Sequence, residues 1–205
     1  MLSKINKITI FSGIGVFSLA VFLGIKKSKS SNTVSNKAFI DNKVKTILKG
    51  KYKMKNQEFL VQLNDAVRDK FTEFVAEVET MGFVVAITES YRTFQQSAIF
   101  KKQNPLNATP GFSSHNYGTA IDMVLYKDGK MIGKGDQFYK AWVDSGVPKL
   151  AKEKYKMRWG GDFAGYKDEV HFDYNNIYDT KKLYAEAIKI YGSAEKAQGN
   201  KIKLV

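Results

Sequence analysis

Ser113 to Tyr126 reads SSHNYGTAIDMVLY, and its two halves carry different structure. Ser113 to Tyr117 closes a loop that opens at Gln103 and is broken by Pro105, Pro110 and Gly111. Ala120 to Tyr126 is an apolar run of strand length, interrupted by Asp122. Asp128-Gly129 then predicts a tight turn, so the chain returns as a hairpin into Met131-Ile132. Upstream, Phe83 to Thr88 (FVVAIT) has the pattern of a buried strand, and Val170 to Phe172 is a third, short one. Between Glu58 and Met81 the apolar residues Phe59, Leu60, Leu63, Val67, Phe71, Phe74, Val75 and Val78 recur at spacings of one to four. That spacing predicts one amphipathic helix, with Gly82 as its stop. Thr93 to Lys102, Phe138 to Tyr155 and Thr180 to Tyr191 also read as helical, and Lys43 to Lys55 as a basic stretch with a short first helix. Helices and strands mix without regular βαβ alternation. The expected class is α+β, a small central antiparallel sheet with flanking helices.

The N-terminal quarter has a different character. Residues 1–55 hold 12 Lys against one acid, Asp41, a net of +11, whereas the whole chain carries +13. The remaining residues are therefore almost neutral, which argues against nucleic-acid binding as the main role of a folded domain. The basic arm suits anionic lipid or an acidic wall polymer. Ile8 to Ile25 (ITIFSGIGVFSLAVFLGI) contains no charge and approaches the roughly 20 apolar residues that span a bilayer. A cleaved secretory signal would have a similar outline, but Ser28-Lys29-Ser30 is a poor cleavage site. The expectation is an uncleaved transmembrane helix within residues 1–27, a basic linker over 28–55, a domain over 56–192 and a polar basic tail over 193–205. Lys26, Lys27 and Lys29 after the apolar segment outweigh Lys4 and Lys7 before it, which leans the domain toward the cytoplasm.

Chemistry is bounded by scarcity. The absence of Cys excludes disulfides, thiolate metal sites and a cysteine nucleophile, and imidazole chemistry must use His115 and His171, the two histidines of the chain. Each lies near carboxylates: His115 seven residues before Asp122, and His171 within Asp168-Glu169-Val170-His171-Phe172-Asp173. A catalytic zinc takes three nitrogen or oxygen ligands and keeps a position for water, a set that His115, Asp122 and His171 can supply. Asp122 interrupts an apolar strand, where an unpaired carboxylate is costly. A cation would offset that cost, as would an ion pair with Arg92 or a Lys. A general base is also needed. Strand alternation places Glu169 on the face of His171, whereas a turn before the strand brings Asp168 there instead. Arg92, in Glu89-Ser90-Tyr91-Arg92-Thr93, follows a buried strand; it can hold a carboxylate or carbonyl oxygen, or pair with Glu89. Trp159-Gly160-Gly161-Asp162-Phe163 reads as a turn whose glycines permit positive φ, with Trp159 in the core or lining a cleft.

Ser113, His115, Gly118, Ala120 and Asp122 fit the pattern S-x-H-x-x-G-x-A-x-D. With Ser-Tyr-Arg-Thr upstream and Trp-Gly-Gly-Asp-Phe and Asp-x-x-His-Phe downstream, the chain resembles the zinc D-Ala-D-Ala carboxypeptidase and L-alanyl-D-glutamate endopeptidase family over roughly residues 56–191. The resemblance implies one Zn²⁺ per chain held by His115, Asp122 and His171, with Asp168 as the base in place of Glu169. It implies a catalytic and substrate-binding role for Arg92, and substrate contacts for Ser113 and Trp159. Asp173 stands where many relatives have Glu. The implied substrate is the peptidoglycan stem peptide, with the L-Ala-D-Glu bond favoured. The alternatives are a bacterial wall-remodelling carboxypeptidase and a non-catalytic, membrane-tethered wall-binding module. A wall substrate conflicts with the charge-based orientation. Either the anchor translocates its domain despite the charges, or the protein is a phage or virion lytic enzyme held in a host or virion membrane and delivered to the wall; the second is the favoured expectation.

Overall fold

The computed structural model describes residues 51–194 and 196–204. The expected membrane segment and most of the basic linker lie outside the described residues. Among the described residues, no helix is long and apolar enough to cross a membrane.

The described chain is α+β, with a five-stranded antiparallel sheet and flanking helices. Two helices come first, α1 (Lys53–Leu60) and α2 (Asp65–Thr80). They replace the single helix expected over Glu58 to Met81, and α1 begins inside the span expected as linker. The break has a tertiary cause. Asn64 caps α2 through Ala66 N at 3.2 Å, donates its backbone N–H to Gly118 O and sends Nδ2 to Ile202 O at 2.7 Å. The partners of Asn64 beyond its cap lie more than fifty residues away, so no local periodicity could reveal them.

Strand β1 (Val84–Glu89), helix α3 (Phe94–Gln103) and strand β2 (Ala120–Lys127) follow. Thr93 and Gln96 close a capping box at the start of α3. Asp128 and Gly129 both take positive φ, 51° and 75°, as a two-residue hairpin turn into β3 (Lys130–Met131) requires. The helical stretch expected over Phe138 to Tyr155 is divided by Gly146, at φ 75°, into α4 (Phe138–Asp144) and α5 (Val147–Glu153). Strands β4 (Arg158–Trp159) and β5 (His171–Asp173) and helix α6 (Thr180–Tyr191) complete the elements. The sheet order is β1-β2-β5-β4, with β3 paired to the far end of β2.

Alternation along the strands sorts the side chains. Ile121, Met123 and Leu125 of β2, Phe172 of β5 and Trp159 of β4 join one core with Phe71, Phe74 and Val78 of α2. Asp122, His171 and Asp173 point from the opposite face. Residues 196–204, expected as a polar tail, are instead packed into the fold, with Ala197 and Ile202 buried.

Candidate metal centre

Asp122 and His171 are register partners on β2 and β5, so their side chains rise together. His115 comes from a single 3-10 turn, Ser114–Tyr117, that leads into β2. His115 Nε2 lies 3.1 Å from Asp122 Oδ1 and 3.1 Å from His171 Nδ1, and His171 Nδ1 lies 2.9 Å from the same Asp122 oxygen. All three residues are buried.

The outer nitrogens decide what the inner ones can do. His115 Nδ1 lies 2.6 Å from Ser90 O, and a carbonyl oxygen only accepts, so Nδ1 carries the proton. His171 Nε2 lies 2.9 Å from Asp173 Oδ2 and donates to it. In the neutral rings, two nitrogen lone pairs and a carboxylate oxygen therefore converge. Lone pairs repel unless a positive charge sits among them. Three donors about 3 Å apart match what bonds of roughly 2.0–2.2 Å impose on ligands sharing one ion, so the residues fit a zinc site. The charges around the centre act in the same direction. Burial alone would lower the His171 imidazole, yet Asp122 and Asp173 hold it well above its usual range. Burial would raise the Asp122 carboxyl, but His115 and His171 hold it well below.

Asp173 anchors a second layer. It accepts from Arg158 Nε at 2.8 Å and Nη2 at 2.7 Å, and from Ser114 Oγ at 3.0 Å. Burial opposes its charge, but the bonds from His171 and Arg158 keep its carboxyl well below the usual range. Such partners orient a ligating imidazole and raise its basicity. Asp173→Asn is expected to weaken zinc binding by about 10- to 100-fold while the ligands remain. Competition against a fluorescent chelator measures this, and unchanged affinity would remove Asp173 from the centre.

Asp168 reaches the site because the chain turns before β5. His171 N donates to Asp168 O at 3.1 Å, and Asp168 N donates to Gly160 O at 3.0 Å. Alternation does not extend back to Glu169, whose carbonyl accepts Trp159 Nε1 at 2.8 Å. Burial first, and the Asp122 charge second, push the Asp168 carboxyl up to about 6. Arg92 does not neutralise Asp122. Its Nε donates to Glu89 Oε1 at 2.6 Å and its Nη2 to Glu89 Oε2, an arrangement that leaves Nη1, while the guanidinium stacks 4.7 Å from the Phe100 ring centroid. Burial would lower its pKa, but Glu89, Asp122 and Asp168 raise it, so it stays a cation at the rim of the centre.

Two expectations change. Trp159 is 2% exposed and stacks on Tyr139, so it belongs to the core and is not a cleft wall for substrate. Gly160 and Gly161 are absent from the positive-φ glycines; they serve close approach instead. Ser113 is partly exposed just before the 3-10 turn, whereas its neighbour Ser114 contacts Asp173. Ser114 and Arg158 escaped the sequence reading. The shared strand parity of His171 and Asp173 was the available signal, but it could not name Asp173's partners.

A centre of this kind is that of a metal-dependent hydrolase. A family model described as D-alanyl-D-alanine carboxypeptidase matches residues 107–174. The peptidoglycan L-alanyl-D-glutamate endopeptidase CwlK of Bacillus subtilis strain 168 is 31% identical over 129 residues, 54% of this chain and 72% of that protein. The L-alanyl-D-glutamate peptidase of Listeria phage A118 is 34% identical over 103 residues, 47% of this chain and 32% of that protein. The crystal structure of the Serratia marcescens L-Ala D-Glu endopeptidase ChiX aligns at 18% identity with a TM-score of 0.48, covering 67% of this chain and 98% of that one. The chain belongs to this family of D-alanyl-D-alanine carboxypeptidases and L-alanyl-D-glutamate endopeptidases and is a metallopeptidase.

Proposed function

We propose that the chain is a zinc-dependent peptidase that hydrolyses the L-Ala-D-Glu bond of peptidoglycan stem peptides. The observation that carries this reading is the convergence of the His115, Asp122 and His171 donor atoms, with the Asp168 carboxyl close enough to feel their charges. The two relatives from Bacillus subtilis and the Listeria phage support the choice of bond by what they cut.

His115, Asp122 and His171 hold the metal, which when bound supplies Lewis acidity and an acidified water. Asp168 takes the proton of the attacking water and passes it to the departing amine nitrogen. Arg92, held by Glu89 and Phe100, presents positive charge to the carbonyl oxygen as it becomes anionic. Ser113, partly exposed two residues before His115, supplies a further contact to the stem peptide.

A base works as its carboxylate, so activity is present above the Asp168 pKa and lost as pH falls through it. The ordinary Asp value is raised to about 6 by burial and by Asp122, and a cation in the centre draws it back down. The acid limb of kcat/KM is therefore expected at or below about pH 6. A pH–rate profile checks this, and a limb near 7 would assign the base to another group.

The deciding experiment is digestion of purified peptidoglycan by residues 39–205, with and without chelator, read by mass spectrometry. New D-Glu amino termini that vanish with chelator and return with Zn²⁺ are expected. Released D-Ala alone would make the protein a carboxypeptidase. Intact stem peptides with a folded, zinc-loaded protein would make it a wall-binding module.

The apolar run 8–25 supports a membrane-anchored enzyme, and the wall substrate, against the lean of the Lys-rich flank, supports a domain facing the wall. A lytic enzyme of phage or virion is the reading we favour over bacterial remodelling; the phage relative supports it, and the Bacillus subtilis relative supports the alternative. Protease accessibility of the domain in intact spheroplasts tests the orientation. Protection from protease would place the domain in the cytoplasm.

A further inference from the structure

We propose that residues 196–204 form a positioning clamp for the His115 turn, so that the metal centre depends on a segment that supplies none of its ligands. This rests on the reading of His115 as a metal ligand. The turn Ser114–Tyr117 is short, and its own bonds, such as Gly118 N to His115 O at 3.2 Å, cannot fix its orientation on the sheet. Its site side is held by Ser90 O on His115 Nδ1 and by Arg92 N on His115 O.

The other side is held by the C-terminal segment. A Cβ on Gly199 would lie 2.0 Å from the carbonyl oxygen of Asn116, the residue next to His115, so the two backbones touch. Asn116 is itself fully buried and cannot retreat: its Nδ2 donates to Arg92 O and Ser97 Oγ, each at 2.8 Å. Asn64 ties the end of the turn to the segment, giving its N–H to Gly118 O and its Nδ2 to Ile202 O. Asn200 Nδ2 donates to Gln62 O at 2.8 Å. Ala197 and Ile202 pack with Tyr117 of the turn in a second small core. The His115 turn is thus pressed between the sheet and the C-terminal segment. Losing that pressure lets Nε2 swing away from Asp122 and His171, and positioning partners of a metal ligand are worth about 10- to 100-fold in affinity.

The test compares the full chain with Gly199→Ala and with a control matched in thermal stability, Val78→Ala, which lies in the core of α2. Zinc affinity is read by chelator competition, and site geometry by the visible spectrum of the Co²⁺ form. Gly199→Ala is expected to lose about tenfold or more in zinc affinity and to alter the Co²⁺ bands. Val78→Ala is expected to melt lower yet bind as the parent does. If Gly199→Ala does not fold, Asn200→Ala, which removes one exposed hydrogen bond, is expected to show a smaller loss in the same direction. A folded clamp variant with parental affinity and spectrum overturns the proposal, as does an equal loss in Val78→Ala. A parent chain that takes up no zinc would instead refute the metal centre itself, and the clamp with it.

Discussion

Asp168→Ala is expected to keep zinc at the parental stoichiometry while its turnover falls by about 10²–10⁴-fold, whereas His115→Ala loses both metal and activity. The two residues differ in what their side chains meet. His115 Nε2 is one of three converging donors, and its removal leaves Asp122 and His171 as two ligands, one short of the three a catalytic zinc takes. Asp168 is bound to the fold through its backbone, by Gly160 O and His171 N. Its carboxyl is free to carry a proton, and truncation to Ala removes that group with the turn left in place. Metal analysis of the purified variants, with turnover on a stem-peptide substrate, separates the cases. An active Asp168→Ala would move the base to Glu169; a metal-free Asp168→Ala would make Asp168 a ligand.

Gly160→Ala is expected to remove most activity although Gly160 carries no functional group. A Cβ there would lie 2.2 Å from the Asp168 carbonyl oxygen and 3.0 Å from His171 Cβ. The nearer atom is backbone, so the clash is relieved only by moving the turn that aims Asp168. The overpacking costs about 1–3 kcal/mol of stability, and a displaced base about 10²-fold in rate. Gly129→Ala is the control. It adds a Cβ at φ 75° in the hairpin turn, with open space around it, at a strain of about 1–2 kcal/mol, and leaves kcat unchanged. Equal activity in the two variants would show that the Gly160 contact is merely structural.

The sequence by itself determined the α+β class, most element positions and, with the family resemblance, the three candidate ligands His115, Asp122 and His171. The elements rest on local information. Thr180–Tyr191 is a helix because its apolar spacing and its Asp179 cap lie within one short segment. Asp122 stands out because a charge in an apolar strand has few local explanations. Tertiary structure decided what depends on partners distant in the chain. Asn64 splits one expected helix into two because Gly118 and Ile202 claim its backbone and side chain. The turn before His171 exists because Gly160, eight residues before Asp168, accepts the Asp168 N–H where strand alternation would have run on, and the Asp168 carboxyl feels the charges of Asp122 and His171. Trp159 enters the core because its register partner, Phe172, lies on the apolar face of the sheet. The C-terminal residues look like a polar tail, since Gly199, Asn200 and Ile202 have no local periodicity. Their role follows from contact with the turn beside His115, about 80 residues back along the chain.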